Sequence, residues 1–270
     1  MKSALRLPWG IRPSQLTLAQ VNDWIVDRLA AKERAEFIVT LNSEIFLLAH
    51  RSKLLQQALK ASSLVTIDGR WLQLCYQAQG YSPLPRVTGS DLIASWLQPA
   101  TFSALKHRPS LYLIGGLSTE VNQAAAQKFE ASGNFTKVWS EYGPQVNLSE
   151  IGQSNSATDR ALIALCQRIV TSQAELVLIG FGAPKQELFM NEYLKQSQWR
   201  GVAIGIGGGL DFISGQLKRA PAGYRSLGLE WLYRVLQQPN RFGRLWRILW
   251  GFYPAWRSEM ARTRSHHQNP

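Results

Sequence analysis

Two short apolar runs that end in glycine and then in polar residues constrain this chain more than any other feature. Leu176–Ile179 runs into Gly180-Phe181-Gly182-Ala183-Pro184 and then Lys185-Gln186-Glu187. Val202–Ile206 runs into Gly207-Gly208-Gly209 and Asp211. Continuous apolar runs of this length, rich in β-formers, suit parallel strands buried on both faces. Pro184 suits a first helical position, where a missing N–H costs nothing. The stretch therefore reads as strand, glycine turn, helix, strand, glycine turn. Ligands of open parallel sheets bind beyond the carboxyl ends of the strands, so both polar clusters are expected on one rim. A lone glycine-rich turn would read as a tight turn only. Two consecutive strands with the same ending favour a binding site.

The rest of the chain repeats the alternation. Strands are expected at Phe37–Leu41, Leu64–Ile67, Leu111–Ile114 and Thr136–Tyr142. Helices are expected from the Thr17 cap, at Ile45–Lys60, from Ser118 to Ala131 and at Asp159–Thr171. Thr88-Gly-Ser-Asp91 reads as a helix start, and 143–158 as a polar, mobile loop. Strand–helix alternation over 37–212 predicts an α/β domain with a doubly wound, Rossmann-like, mostly parallel sheet. Polar groups recur at strand ends. Asn42 and Glu44 follow the first strand, and Asp68-Gly69 follows the second. Gly115-Gly116 after the third would present N–H groups to an anion such as a pyrophosphate. From spacing alone, Asp68 is either a base or the capping residue of a turn before Gly69.

The net charge of +12 implies an anionic partner: nucleic acid, anionic lipid or a phosphorylated substrate. Much of the charge is local. Residues 218–264 carry ten Lys and Arg against Glu230 and Glu259, with Trp231, Tyr233, Phe242, Trp246, Trp250, Phe252, Tyr253 and Trp256 interleaved. The expected division is a core at 1–215 and a basic, aromatic-rich helical appendage at 216–270. On a helix from Pro239 to Trp250, Phe242, Leu245, Trp246 and Leu249 would form one stripe, opposite Arg241, Arg244 and Arg247. Three readings compete: a packed terminal helix, a nucleic-acid patch, and an interfacial helix with Trp at headgroup depth. Trp and Leu beside Arg suit a membrane better than nucleic acid. No run of about 18 apolar residues could span a bilayer, and MKSALRLPWGIRP lacks the apolar core of a secretory signal. A cytoplasmic location, peripheral on the inner membrane face, is expected. Cys75 and Cys166 form no CxxC motif and read as helix-packing residues.

Ordered motifs across almost the whole chain carry a resemblance. They are Thr40-Leu-Asn-Ser-Glu44, Asp68-Gly69, Arg86-Val-Thr-Gly-Ser-Asp91, Leu113-Ile-Gly-Gly116, Gly180-Phe-Gly-Ala-Pro-Lys-Gln-Glu187, Gly205-Ile-Gly-Gly-Gly-Leu-Asp211, Arg219-Ala-Pro221 and Gly228-Leu-Glu-Trp-Leu-Tyr-Arg234. The chain resembles the WecG/TagA/CpsF family of bacterial glycosyltransferases. The resemblance implies inverting transfer of an N-acetylmannosamine-type sugar from a UDP donor to polyprenyl-diphosphate-linked N-acetylglucosamine at the inner membrane face, in cell-surface polysaccharide synthesis. It implies Asp68 as catalytic base. Thr40, Asn42, Gln186 and Asp211 match substrate-contacting residues, Asp211 with a structural role as its alternative. Arg234, Arg241 and Arg244 match appendage arginines for the acceptor diphosphate.

Elementary chemistry agrees with that reading. A UDP donor needs N–H groups and cations around its pyrophosphate, which Gly115, Gly116, Gly207 and Arg219 would supply. Arg86 would reach a phosphate, or else make a surface salt bridge. Lys185 would do the same, or else snorkel on the surface. One base must take the acceptor's proton, and Asp68 is the only carboxylate in its turn. No Asp-x-Asp pair is present, and His50, His107, His266 and His267 are scattered, so activity without a divalent cation or other cofactor is expected. An apolar appendage surface would also serve self-association into a homo-oligomer. The alternatives are an NAD(P)-dependent oxidoreductase, which would need GxGxxG after the first strand where TLNSE stands, and a nucleic-acid-binding protein.

Overall fold

The computed structural model describes residues 7–221, 223–224, 230–238 and 242–268, with the side chains of 231, 234, 244 and 264–268 outside that description. Six strands form one sheet: β1 Ala35–Leu41, β2 Leu64–Ile67, β3 Leu111–Gly115, β4 Val138–Glu141, β5 Leu176–Gly180 and β6 Gly201–Gly205. Their order is β2-β1-β6-β5-β3-β4, and every pairing is parallel. The α/β, Rossmann-like expectation holds.

Side chains alternate between two cores, as the two-residue strand period demands. Val39, Ile114, Val177 and Ala203 point to one face, where α2 (Ser43–Arg51), α3 (Lys53–Ala61) and α7 (Ala157–Ser172) pack. Ile38, Leu113, Leu178 and Ile204 point to the other, under α1 (Leu18–Ala31), α5 (Gly89–Ser95), α6 (Thr119–Ala131) and α9 (Gly209–Ser214). The neighbours β1 and β6 hand the chain to opposite faces, to α2 and α9. A crevice therefore opens at their carboxyl ends.

Helix starts follow the capping residues. Thr17 and Gln20 make a capping box for α1, and Thr88, Ser118 and Ser156 each cap the helix they precede. Two helices replace the single one expected at 45–60. Ser52 takes an extended conformation and its hydroxyl caps α3 at Leu55 N, so it ends one helix and starts the next. The helix α4 (Arg70–Gln77) was not read from the sequence. Pro184 stands as the N-cap of α8 (Lys185–Phe189), not inside it, and a π turn at Met190–Leu194 continues that helix. The segment expected as a mobile loop is anchored. Val146 and Ile151 are buried, and the Tyr193 hydroxyl accepts from Gly152 N (3.2 Å) while donating to Asp159 (2.8 Å).

Past α9 come α10 (Glu230–Gln237) and α11 (Phe242–Gln268). Phe252, Ala255, Trp256 and Met260 of α11 join the core on the α2 face. Phe46 of α2 meets Trp9, Phe252 and Trp256 at ring-centroid distances of 5.1, 5.5 and 5.2 Å. Aromatic pairs of this kind add about 0.5–1.5 kcal/mol each beyond area burial. That cluster holds α11 on the domain. Cys75 and Cys166 are free thiols on α4 and α7.

Candidate active site

The β1–β6 crevice leads into a cleft of about 250 Å³, near the lower bound of ligand pockets. Its floor comes from the ends of β1 and β2: Asn42, Ser43, Glu44, Asp68 and Gly69. Asn42 also caps α2, its Oδ1 accepting from Glu44 N and Ile45 N at 3.0 Å each. A Cβ on Gly69 would lie 3.3 Å from Asn42 Cα and Ser43 N, so the Asp68-Gly69 turn rests directly on that helix start. The Asp68 N–H donates to Leu41 O at 2.9 Å, which pins the aspartate at the strand end.

Arg86 arrives by a different route. The segment before α5 runs beside β2, with Arg86 bridged to Ile67. Val87 N donates to Ile67 O (3.0 Å), and the Thr66 hydroxyl donates to Val87 O (3.0 Å). Arg86 thus lines the same cleft as Asp68, with Thr88 and Ser90 from the start of α5. The opposite wall belongs to the last two helices: Glu230 and Val235 of α10, and Leu245, Ile248 and Leu249 of α11. Arg70 and Trp71 complete the rim. Sequence reasoning missed those two, although they follow Asp68-Gly69 directly and Trp71 is 48 % exposed.

Other expected site residues lie beneath and beside the cleft. Thr40 is buried, and its hydroxyl donates to Gly205 O at 3.3 Å. Gln186 is buried too. Its Oε1 accepts from Gly207 N (2.9 Å) and its Nε2 donates to Glu187 Oε1 (2.7 Å). A Cβ at position 205 would fall 2.6 Å from Gln186 Nε2, so only glycine admits this amide. The Glu187 Oε2 is buried with no hydrogen-bond partner among the described residues. Burial pushes this carboxyl up to about 7, with the nearby Glu44 carboxylate adding to the effect.

Asp211 is 2 % exposed, and its Oδ1 accepts from Leu117 N at 3.1 Å. It thereby fixes the turn that follows β3. In that turn Gly115 has φ +103°, and a Cβ there would lie 2.7 Å from Gly180 C. Only glycine lets these two strand ends touch. Gly116 (φ +93°) follows on the same rim. Lys185 is half-buried at the start of α8. Arg219 reaches Asp91 (2.5 Å) and Glu230 (3.4 Å). Arg241 lies outside the described residues, as do the side chains of Arg234 and Arg244. The structure therefore brings Asn42, Asp68 and Arg86 into one cleft. It places Thr40, Gln186, Gly207 and Asp211 in the framework of the same rim.

Residues 7–266 match the model of the glycosyl transferase WecG/TagA/CpsF family, nearly the whole chain. The chain belongs to this family. For a WecG/TagA/CpsF glycosyltransferase, the cleft offers the kind of groups that sugar transfer needs. A carboxylate at a strand end is able to accept a proton, and a guanidinium beside it is able to meet an anion. Val235 of α10 and Leu245, Ile248 and Leu249 of α11 give the cleft an apolar side. Among the described residues, no helix is long and apolar enough to cross a membrane. Among them, too, no three His, Cys, Asp or Glu side chains gather as metal ligands would. On its outer side the same α11 exposes Phe242, Trp246, Trp250 and Tyr253, each at least 56 % exposed.

Proposed function

We propose that this glycosyltransferase moves an N-acetylmannosamine-type sugar from a UDP donor to a polyprenyl-diphosphate-linked N-acetylglucosamine, with inversion, in the synthesis of a cell-surface polysaccharide. The observation that carries the reading is the cleft itself, where Asp68 and Arg86 face apolar residues of α10 and α11. Asp68 takes the proton from the acceptor hydroxyl as that oxygen attacks the anomeric carbon. The bond from that carbon to the UDP oxygen breaks, and UDP leaves with the electron pair. A base positioned in this way contributes about 10²–10⁴-fold to the rate.

Arg86 and the glycine turn after β3 meet the pyrophosphate, with Lys185 at the start of α8, while the Gly207 N–H is engaged by Gln186. Gln186 and Thr40 hold the β6 turn in shape beneath the donor. Arg234, Arg241 and Arg244 meet the acceptor's diphosphate. The exposed aromatic face of α11 rests at headgroup depth on the inner membrane face, where Trp and Tyr sit comfortably and neighbouring arginines meet anionic lipid. A lipid-linked diphosphate lies at that same depth.

The test is UDP release with a short polyprenyl-diphosphate-N-acetylglucosamine analogue. UDP-N-acetylmannosamine, its uronic acid and another UDP-hexose are supplied in parallel, with Asp68→Asn as control. Turnover with one donor, lost in the variant, is the expected result and names the sugar. Absence of any UDP binding would overturn the reading.

A further inference from the structure

A charged bridge joins the two walls of the cleft. The Arg219 Nη2 donates to Asp91 Oδ1 at 2.5 Å, and its Nε donates toward Glu230 Oε1 at 3.4 Å. Asp91 lies in the first turn of α5 and is itself held there, its Oδ2 accepting from the Thr88 hydroxyl at 2.9 Å. Glu230 is the first residue of α10. One position before Arg219, both main-chain groups of Lys218 engage the far end of the same helix. Lys218 N donates to Gln237 Oε1 (3.1 Å) and Lys218 O accepts from Gln237 Nε2 (2.8 Å). The two-residue strap therefore grips α10 at both ends. It is anchored in turn to the core, through Leu217 N to Asp211 O (3.0 Å) and the buried Ala220.

The location makes the bridge more than a surface ion pair. Thr88 and Ser90, at the start of α5, line one side of the cleft; Glu230 and Val235 of α10 line the other. Arg219 spans the distance between them. All three charged side chains are partly buried, at 23, 27 and 18 % exposure for Arg219, Asp91 and Glu230. Partial burial and a planar donor fork favour a charge-assisted contact of defined length over a loose, fully solvated pair.

We propose that Asp91 and Glu230, acting through Arg219, are positioning residues that hold α10 as the wall over Asp68 and so set the width of the acceptor side of the cleft. The proposal rests on reading that cleft as the site of glycosyl transfer. None of the three touches the reacting atoms in this role. Opening the bridge lets α10 move off and weakens acceptor binding. The chemistry at Asp68, once the acceptor is seated, is preserved.

The test uses the full-length protein with Asp91→Ala, and Glu230→Gln as the milder variant on the other side. Amide hydrogen exchange across 230–237, read without substrate, should quicken about tenfold in Asp91→Ala, as expected for loss of one charge-assisted contact. With the donor that the wild type accepts, the acceptor KM should rise about tenfold. The kcat and the donor KM should stay within about twofold. A merely structural role would lower the melting temperature without this split between KM and kcat. Unchanged exchange across 230–237 would overturn the proposal, and so would faster exchange with an unmoved acceptor KM. If the wild type released no UDP from any donor, the reading of the cleft would fall, and the exchange data would still decide whether the bridge holds α10.

Discussion

The carboxyl rim of the sheet has two halves that use similar residues in opposite ways. At the β1–β2 half, Asn42, Asp68 and Arg86 line an open cleft. At the β3–β5–β6 half, Gln186 and Asp211 are buried and turned onto main-chain N–H groups of Gly207 and Leu117. Both halves carry glycine beside a polar side chain. In the first, glycine packs a turn onto a helix start and leaves the polar group facing the cleft. In the second, glycine brings backbone against backbone, and the polar groups hold the turns in place. A motif residue at a strand's carboxyl end is thus able to serve by reaching a ligand or by fixing the loop that reaches it. Only packing distinguishes the two.

The largest effect that would sharpen this comparison is at Asp68. Asp68→Asn should lower kcat by about 10²–10⁴-fold with the melting temperature unchanged. A stability loss with normal turnover would instead make Asp68 a turn-capping residue like those of the other half. Glu187 comes next, on the buried half. Its folded carboxyl sits at about 7, above the ordinary value of 4.5. The neutral form is therefore favoured by folding, and its contribution is fully present below the unfolded value. Stability is lost as pH rises from about 4.5 through 7, by roughly 3 kcal/mol in all. Glu187→Gln should remove that slope. Urea unfolding at pH 5 and pH 8.5 should show the variant gaining on the wild type at the higher pH, and parallel curves would refute the assignment.

Asp211→Ala removes the acceptor for Leu117 N and should destabilise the protein by about 1–3 kcal/mol in urea unfolding. A variant of normal stability that no longer binds UDP would move Asp211 to the reaching half. The outer face of α11 should behave differently from both. Trp246 and Trp250 pack on each other at 5.6 Å but are exposed. Replacing both by Ser should change stability by less than about 0.5 kcal/mol. Binding to phosphatidylglycerol–phosphatidylcholine vesicles should weaken about tenfold. Equal binding by the variant would leave that face without a membrane role. The smallest effect is expected from EDTA, which should change the rate by less than about twofold. Abolition by EDTA with recovery on added magnesium would contradict a mechanism carried by Asp68 and arginines alone.

Much of this is legible in the sequence. Buried parallel strands announce themselves as short apolar runs because both faces need apolar side chains, and all six strands fall within a residue or two of the expected positions. Caps such as Thr17, Thr88 and Ser118 are local devices, so they were legible too. The break at Ser52 was not. The apolar pattern continues across it, and a serine is compatible with either a helix interior or a cap. The helix α4 escaped because Arg70–Gln77 is only eight residues long, too short for a helical period to repeat convincingly in sequence.

The order of motifs along the chain was enough for the resemblance to a glycosyltransferase family, and the family match over residues 7–266 bears it out. Burial is a property of three dimensions, and it was decided elsewhere. Sequence spacing put Gln186 and Asp211 at the right strand ends but carried no information on which way the neighbouring backbone would close over them. Arg219 stood among candidate phosphate ligands until Asp91, 128 residues away in the chain, came to lie against it. The cleft over Asp68 exists because β1 and β6 pair side by side and then send the chain to opposite faces. That pairing joins residues more than 160 positions apart, a distance over which only the packed core, and no local pattern, dictates who meets whom.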